Sequence, residues 1–187
     1  NVLCALGMAA ELTNLPQEVI KYADKIHGAK GRLELVGQTP NGAAVYIDYA
    51  HTPDALENVI RALRPHTAGK LHVLFGCGGD RDAGKRPIMG KIANDLADVV
   101  YVTDDNPRTE DAAKIRDQIM AACPKGQNIP DRGTAIQTAI SNLQAGDLLI
   151  LAGKGHETGQ YVNGKIIPFS DHCAAAEALA SCCSGTH

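Results

Sequence analysis

Three short, almost wholly apolar runs at residues 71–75, 99–103 and 147–152 constrain this chain more than any other feature. Each is too short to be a helix of ordinary length, and each lacks the one-sided apolar stripe of an amphipathic helix. Between them lie patterns of helical period at 87–96, 112–122 and 134–143, and a further one at 55–63 precedes the first run. Strands separated by helices of ~10–15 residues join as right-handed βαβ units, which place the strands parallel and the helices on the faces of the sheet. The fold class that follows is α/β: a Rossmann-like, mostly parallel sheet with helices on both faces.

The ends of the chain add detail to this frame. Residues 1–27 read as two helices, with Val2, Leu3, Leu6, Ala9 and Ala10 on one stripe and a cap-and-proline start at Thr13-Asn14-Leu15-Pro16 for the second. The opening residue is Asn1 and the chain starts inside a helical pattern, so a longer protein is expected upstream. Gly28-Ala29-Lys30-Gly31 reads as a linker. Strands at 33–36 and 43–49 are joined through Pro40-Asn41-Gly42, a hairpin signal. A brief strand is expected at 127–129, a second hairpin at 160–168 around Asn163-Gly164, and a closing helix at 171–183 capped by Ser170 or Asp171. Thr109 is the expected N-cap of the 112–122 helix.

Composition removes several function classes. A net charge of -3 does not suit a general nucleic-acid binder, which needs a basic face to neutralise phosphates. No apolar run approaches the ~20 residues that span a bilayer, and residues 1–10 lack the basic start of a signal peptide. None of the six cysteines forms a C-x-x-C pair, so no zinc ribbon is expected. Scattered thiols of this kind suit a reducing cytosol.

Three charged or glycine-rich loops follow the three apolar runs. They are Gly76-Cys77-Gly78-Gly79-Asp80-Arg81-Asp82-Ala83-Gly84-Lys85-Arg86, then Asp104-Asp105-Asn106-Pro107-Arg108, then Gly153-Lys154-Gly155-His156-Glu157. In a parallel sheet all three emerge at the carboxyl edge, where ligands bind. The first loop nearly matches a P-loop, but Arg86 stands where Ser or Thr should meet magnesium. Arg81 is better used as a carboxylate clamp, the alternative being an ion pair with Asp80 or Asp82. The second loop combines acceptors for an ammonium group with an arginine for a carboxylate, the equipment to hold a zwitterionic amino acid. A fourth cluster, Asp48-Tyr49-Ala50-His51-Thr52-Pro53-Asp54, opens a helix whose N-terminal amides favour anions. There, His51 can stack on a base or touch a phosphate, and Asp48 can accept from ribose hydroxyls. No G-x-S-x-G elbow or histidine pair of zinc-ligand spacing is present.

Taken together and in chain order, with the Asp48–Asp54 cluster first, these four motifs resemble the Mur ligases, the ATP-dependent amide ligases of bacterial cell-wall synthesis. Within that family the resemblance is to the members that use diaminopimelate, and it runs from Asn1 to about His172. It implies that residues 1–29 end a central ATPase domain and that 30–187 form the C-terminal domain. It further implies an enzyme that phosphorylates a carboxylate of UDP-N-acetylmuramoyl-L-alanyl-D-glutamate with ATP. The amine of meso-diaminopimelate would then attack the acyl phosphate. The family's P-loop, Mg2+ ligands and carbamylated lysine have no match here, so no catalytic or metal-binding residue is expected in this chain. For diaminopimelate the resemblance implies Arg81, the Asp105-Asn106-Pro107-Arg108 motif, Gly153 and Glu157. Arg108 would meet the distal carboxylate, with Asp105, Asn106 and Glu157 around the distal ammonium and Arg81 on the nearer carboxylate. For ATP it implies Asn1, Arg32, Asp48, Tyr49 and His51. A cytoplasmic monomer that contacts neither nucleic acid nor membrane is expected. The alternatives are a lysine-adding Mur ligase or related ATP-dependent amino-acid ligase, and a non-catalytic Rossmann-like binding module. A nicotinamide oxidoreductase lacks support, because no G-x-G-x-x-G opens the first βα turn.

Overall fold

The computed structural model describes residues 2–13, 21 and 28–184. The opening helix, α1, covers Val2–Thr13. The second helix expected before residue 28 lies outside the described residues, as does Asn1.

A six-stranded sheet runs in the order β1-β2-β6-β3-β4-β5. Its strands are β1 (Glu34–Gln38), β2 (Ala44–Asp48), β3 (Leu71–Phe75), β4 (Val99–Val102), β5 (Gln127–Asn128) and β6 (Leu148–Ala152). β1 pairs antiparallel with β2 as the predicted hairpin, and every other pairing in the sheet is parallel. The helices are α2 (Pro53–Leu63), α3 (Lys85–Leu96), α4 (Ala112–Met120), α5 (Arg132–Ser141) and α6 (Asp171–Ser184). A separate antiparallel ribbon, β7 (Gly159–Val162) with β8 (Lys165–Pro168), turns at Asn163-Gly164, both at positive φ.

Alternation along the strands builds two cores. Leu71, Val73 and Phe75 of β3, with Leu148 and Ile150 of β6, meet Leu56 and Ile60 of α2, Met89 of α3 and Ile119 of α4. Leu74, Leu149 and Leu151 point the other way, onto Ile136 and Ile140 of α5 and Ala175 of α6. β3 and β6 are buried at every position, which explains why their sequences are continuous apolar runs rather than alternating ones. The helices begin where local chemistry lets them. Thr52 caps α2, its side chain accepting from Ala55 N–H, with Pro53 in the first turn, and Asp131 caps α5 by accepting from Thr134 N–H.

One cap differs from expectation. Asp111, not Thr109, caps α4, its side chain accepting from Ala113 N–H. Thr109 is engaged elsewhere: its N–H and hydroxyl both donate to the Asp80 carboxylate, at 3.1 and 2.8 Å.

Candidate functional site

The strand order puts β6 between β2 and β3, so the loops after β2, β6, β3 and β4 lie side by side along one edge of the sheet. They enclose a cleft of about 480 Å³ lined by Tyr49, His51, Thr52, Pro53, Gly78, Arg81, Asp82, Lys85, Ile88, Asp105, Asn106, Arg108, Gly153 and Glu157. Every residue singled out for the amino acid except Pro107 lines this cleft, as do Tyr49 and His51. Pro107 is buried behind it.

The loops are stitched to one another rather than merely adjacent. Asp80, at positive φ, receives Thr109, and its own N–H donates to Glu110 Oε1 at 2.5 Å. Glu110 in turn accepts two hydrogen bonds of 2.9 Å from Arg86, which is only 1% exposed. Those donors, with the Asp80 N–H behind them, hold the Glu110 carboxyl below its ordinary range. The Arg81–Asp80 ion pair considered as an alternative is therefore not formed. Arg81 Nη1 reaches only the Asp80 carbonyl, at 3.2 Å, and Asp82 caps Gly84 N–H. Arg81 stands exposed at the cleft without a carboxylate partner among the described residues.

Arg108 is held in an equally specific way. Its φ is 53°, a left-handed conformation that a non-glycine residue adopts only when its surroundings impose it. The imposing element is the β7–β8 ribbon: Arg108 N–H donates to Tyr161 O at 2.8 Å, and Asn163 N–H donates to Arg108 O at 2.6 Å. Nη1 of the guanidinium then donates to Gly79 O at 2.8 Å and Asn106 O at 3.4 Å. Carbonyls orient the group without neutralising it, so its charge stays available to a ligand anion. Gly78 makes room for it, since a Cβ there would sit 2.7 Å from Nη1. Asp104 takes no part in the cleft. It pairs with Arg116 of α4, and burial raises its carboxyl pKa against the pull of that arginine.

Lys154 was not singled out from the sequence. It lies between Gly153 and Gly155, both at positive φ, in a turn that folds the side chain inward to 0% exposure. Its ammonium donates to Asn106 Oδ1 and Glu157 Oε2, each at 3.1 Å, and lies 3.5 Å from Asp105 Oδ1. Another buried cation, Arg132, pairs with Asp171 through bonds of 2.8 and 2.7 Å and donates to Ala152 O at 3.0 Å. Burial opposes its charge, but Asp171, with Asp105 and Glu157 beyond, raises its pKa. The visible sequence signal for Lys154 was a lysine between two glycines after a fully apolar strand, and it names no partner.

On the other flank, the Arg32 guanidinium lies 4.8 Å over the Tyr49 ring, and Tyr49 meets His51 edge-on at 4.6 Å. His156 stacks on Tyr49 at 5.7 Å. His51 Nδ1 contacts Tyr49 O at 2.8 Å, and Lys85 Nζ donates to His51 O at 2.7 Å. Both Asp48 oxygens accept backbone N–H groups, from Leu33 at 2.7 Å and Ala50 at 2.8 Å, so Asp48 first of all holds this corner together. The exposed His51 and the half-buried Tyr49, beside Arg32 and Lys85, suit a nucleotide's base and phosphates. Among the described residues no three His, Cys, Asp or Glu side chains cluster as a metal site. No helix of the described residues is long and apolar enough to cross a membrane.

Comparison with known proteins gives the arrangement its context. Residues 31–155, more than half of the chain, match the family described as "Mur ligase, glutamate ligase domain". The UDP-N-acetylmuramoyl-L-alanyl-D-glutamate–2,6-diaminopimelate ligase of Agrobacterium fabrum is 56% identical over 96% of this chain and 37% of its own length. The ligase of the same description from Zymomonas mobilis is 48% identical over 96% and 38%. A solved structure of a ligase so described aligns with a TM-score of 0.77 at 38% identity, covering 96% of this chain and 37% of that one. The UDP-N-acetylmuramate-alanine ligase of Thermotoga maritima, 16% identical with a TM-score of 0.66, shares the fold over 100% of this chain and 37% of its own. The chain thus spans a little over a third of its relatives' length. With the four loop motifs on one sheet edge and the match covering most of that edge, the chain belongs to the Mur ligase family.

Proposed function

We propose that this chain is the C-terminal part of an ATP-dependent ligase that joins meso-diaminopimelate to UDP-N-acetylmuramoyl-L-alanyl-D-glutamate. The acyl phosphate of the precursor is the species that the diaminopimelate amine attacks. Residues 30–187 supply the amino-acid pocket and one side of the ATP site, and residues 1–29 end the central ATPase domain. The Mg2+ ligands and the ATPase machinery belong to the part of the protein upstream. The enzyme works as a cytoplasmic monomer.

The observation that carries this reading is a cleft with two guanidinium groups, Arg81 and Arg108, neither paired with a carboxylate among the described residues, beside Asp105 and Glu157. A ligand with carboxylates and an ammonium group matches that charge pattern. Arg108 binds the distal carboxylate, Arg81 the carboxylate near the attacking amine, and Asp105 and Glu157 the distal ammonium. Gly153, at a φ of 111°, offers backbone in a conformation that residues with side chains rarely adopt. Tyr49, His51 and Arg32 receive the nucleotide, and Asp48 keeps their loop in place.

The test is a competition assay on the full-length enzyme with diaminopimelate and lysine. A charge-assisted arginine–carboxylate contact of about 1.5–3 kcal/mol corresponds to roughly 10–100-fold selection. Arg108→Ala is expected to lose that selection, and unchanged preference would refute the assignment.

A further inference from the structure

The acceptors at the cleft are not free for a ligand alone: the protein already places an ammonium of its own behind them. Lys154 Nζ lies 3.1 Å from both Asn106 Oδ1 and Glu157 Oε2, is fully buried, and does not line the cleft. An ammonium can only donate, and so can the Tyr161 backbone N–H, which reaches the same Asn106 oxygen at 3.0 Å. Both lone-pair directions of that oxygen are thereby taken, which leaves the Asn106 amide one orientation. Its Nδ2 donates to Glu157 Oε2 at 3.0 Å, and the remaining N–H is what it has left to offer. Glu157 keeps Oε1 free of protein partners among the described residues. Without Lys154, the Asp105 and Glu157 carboxylates would lose the ammonium they share, and Asn106 could flip. Buried like charges and half-satisfied amides are both costly.

We infer that Lys154 is a positioning residue that sets the polarity of the amino-acid pocket. It locks Asn106 as a donor toward the cleft and leaves Glu157 Oε1 beside it as the acceptor, so that the ligand's carboxylate and ammonium are each met by one kind of group. The inference rests on the proposed function and deepens it, since it names a residue that acts through Asn106 and Glu157 without touching the ligand.

The test uses the full-length ligase. In Lys154→Met the KM for diaminopimelate is expected to rise roughly 10–100-fold, the range for loss of charge-assisted hydrogen bonds, while the KM for ATP moves by less than about twofold. Glu157→Gln is expected to cost less in the Lys154→Met background than in the wild type, because it removes the carboxylate left uncompensated. A diaminopimelate KM within about threefold of wild type, parallel increases for both substrates, or strictly additive costs would each overturn the role. Should Lys154→Met fail to fold, Asn106→Asp reads the same polarity. With Lys154 in place it turns an acceptor into the cleft where an N–H stood, and weaker diaminopimelate binding is expected. Equal or tighter binding would overturn the inference. No turnover with diaminopimelate by the wild-type enzyme would instead defeat the proposed function itself, whereas normal wild-type turnover with unaffected variants would remove only Lys154 from the scheme.

Discussion

Arg108 shows how much a single residue's role depends on what holds it. Its charge is legible in the sequence, but its availability is not, because that depends on being bound by carbonyls instead of a carboxylate. The same guanidinium, had it reached Glu110 as Arg86 does, would be a structural strut. Gly78 is part of this arrangement, since a methyl group there would press on Nη1 at 2.7 Å. Gly78→Ala is therefore expected to raise the KM for diaminopimelate by about tenfold without changing any charge, a loss of about 1.4 kcal/mol. Steady-state kinetics on a folded variant would check it, and an unchanged KM would mean that the guanidinium shifts freely. Arg108→Lys should not rescue Arg108→Ala, because a point charge cannot reproduce the planar fork that the carbonyls orient.

At the scale of elements, the buried Arg132–Asp171 pair ties α5 to α6 and, through Ala152 O, to the end of β6 where the Lys154 turn begins. Removing one partner leaves the other charge buried and alone. Arg132→Met is expected to destabilise the protein by about 3–5 kcal/mol, whereas Arg132→Met with Asp171→Leu together should cost far less. Urea unfolding of the three proteins would check this, and equal losses in the single and double variants would contradict it. The cap of α5 gives a smaller, pH-linked effect. Backbone and hydroxyl donation from Thr134 lower the Asp131 pKa below 3.8. A lowered folded pKa means that this stabilisation is complete above the unfolded value and is lost as pH falls through the folded one. Asp131→Ala should therefore cost about 1 kcal/mol at neutral pH and progressively less in strong acid, as thermal melts would show.

For the molecule as a whole, the two edges of the sheet have different tasks. The carboxyl edge gathers the loops, and at the opposite end His72 and Asp147, both nearly buried, meet at 3.1 Å. His72 Nδ1 is buried with no partner among the described residues. Burial lowers the His72 pKa below its ordinary 6.5, against the pull of Asp147. The linked stability is then fully present above about 6.5 and is lost as pH falls through the lower folded value. Unfolding measured between about pH 8 and pH 5 should show this loss, and His72→Phe should flatten the slope in that window. An unaltered slope would assign the acid sensitivity to another group.

The amino-acid sequence by itself determined the α/β class, the parallel strands, both hairpins and which loops meet at one edge. These follow from apolar runs, helical period, Gly and Pro positions and the handedness of βαβ units, all of which act over a few residues. Tertiary structure alone decided the partner of each charge. Thr109 left the cap of α4 to Asp111 because Asp80, 29 positions away, accepts from it. Asp104 and Asp105 are neighbours in the chain, yet one is spent on Arg116 and the other faces the cleft. Lys154 reads as one more loop lysine until Asn106, 48 positions distant, is folded against it. Local propensities are short-ranged and repeat along the chain, whereas the pairing of buried charges depends on which loops the sheet order brings together.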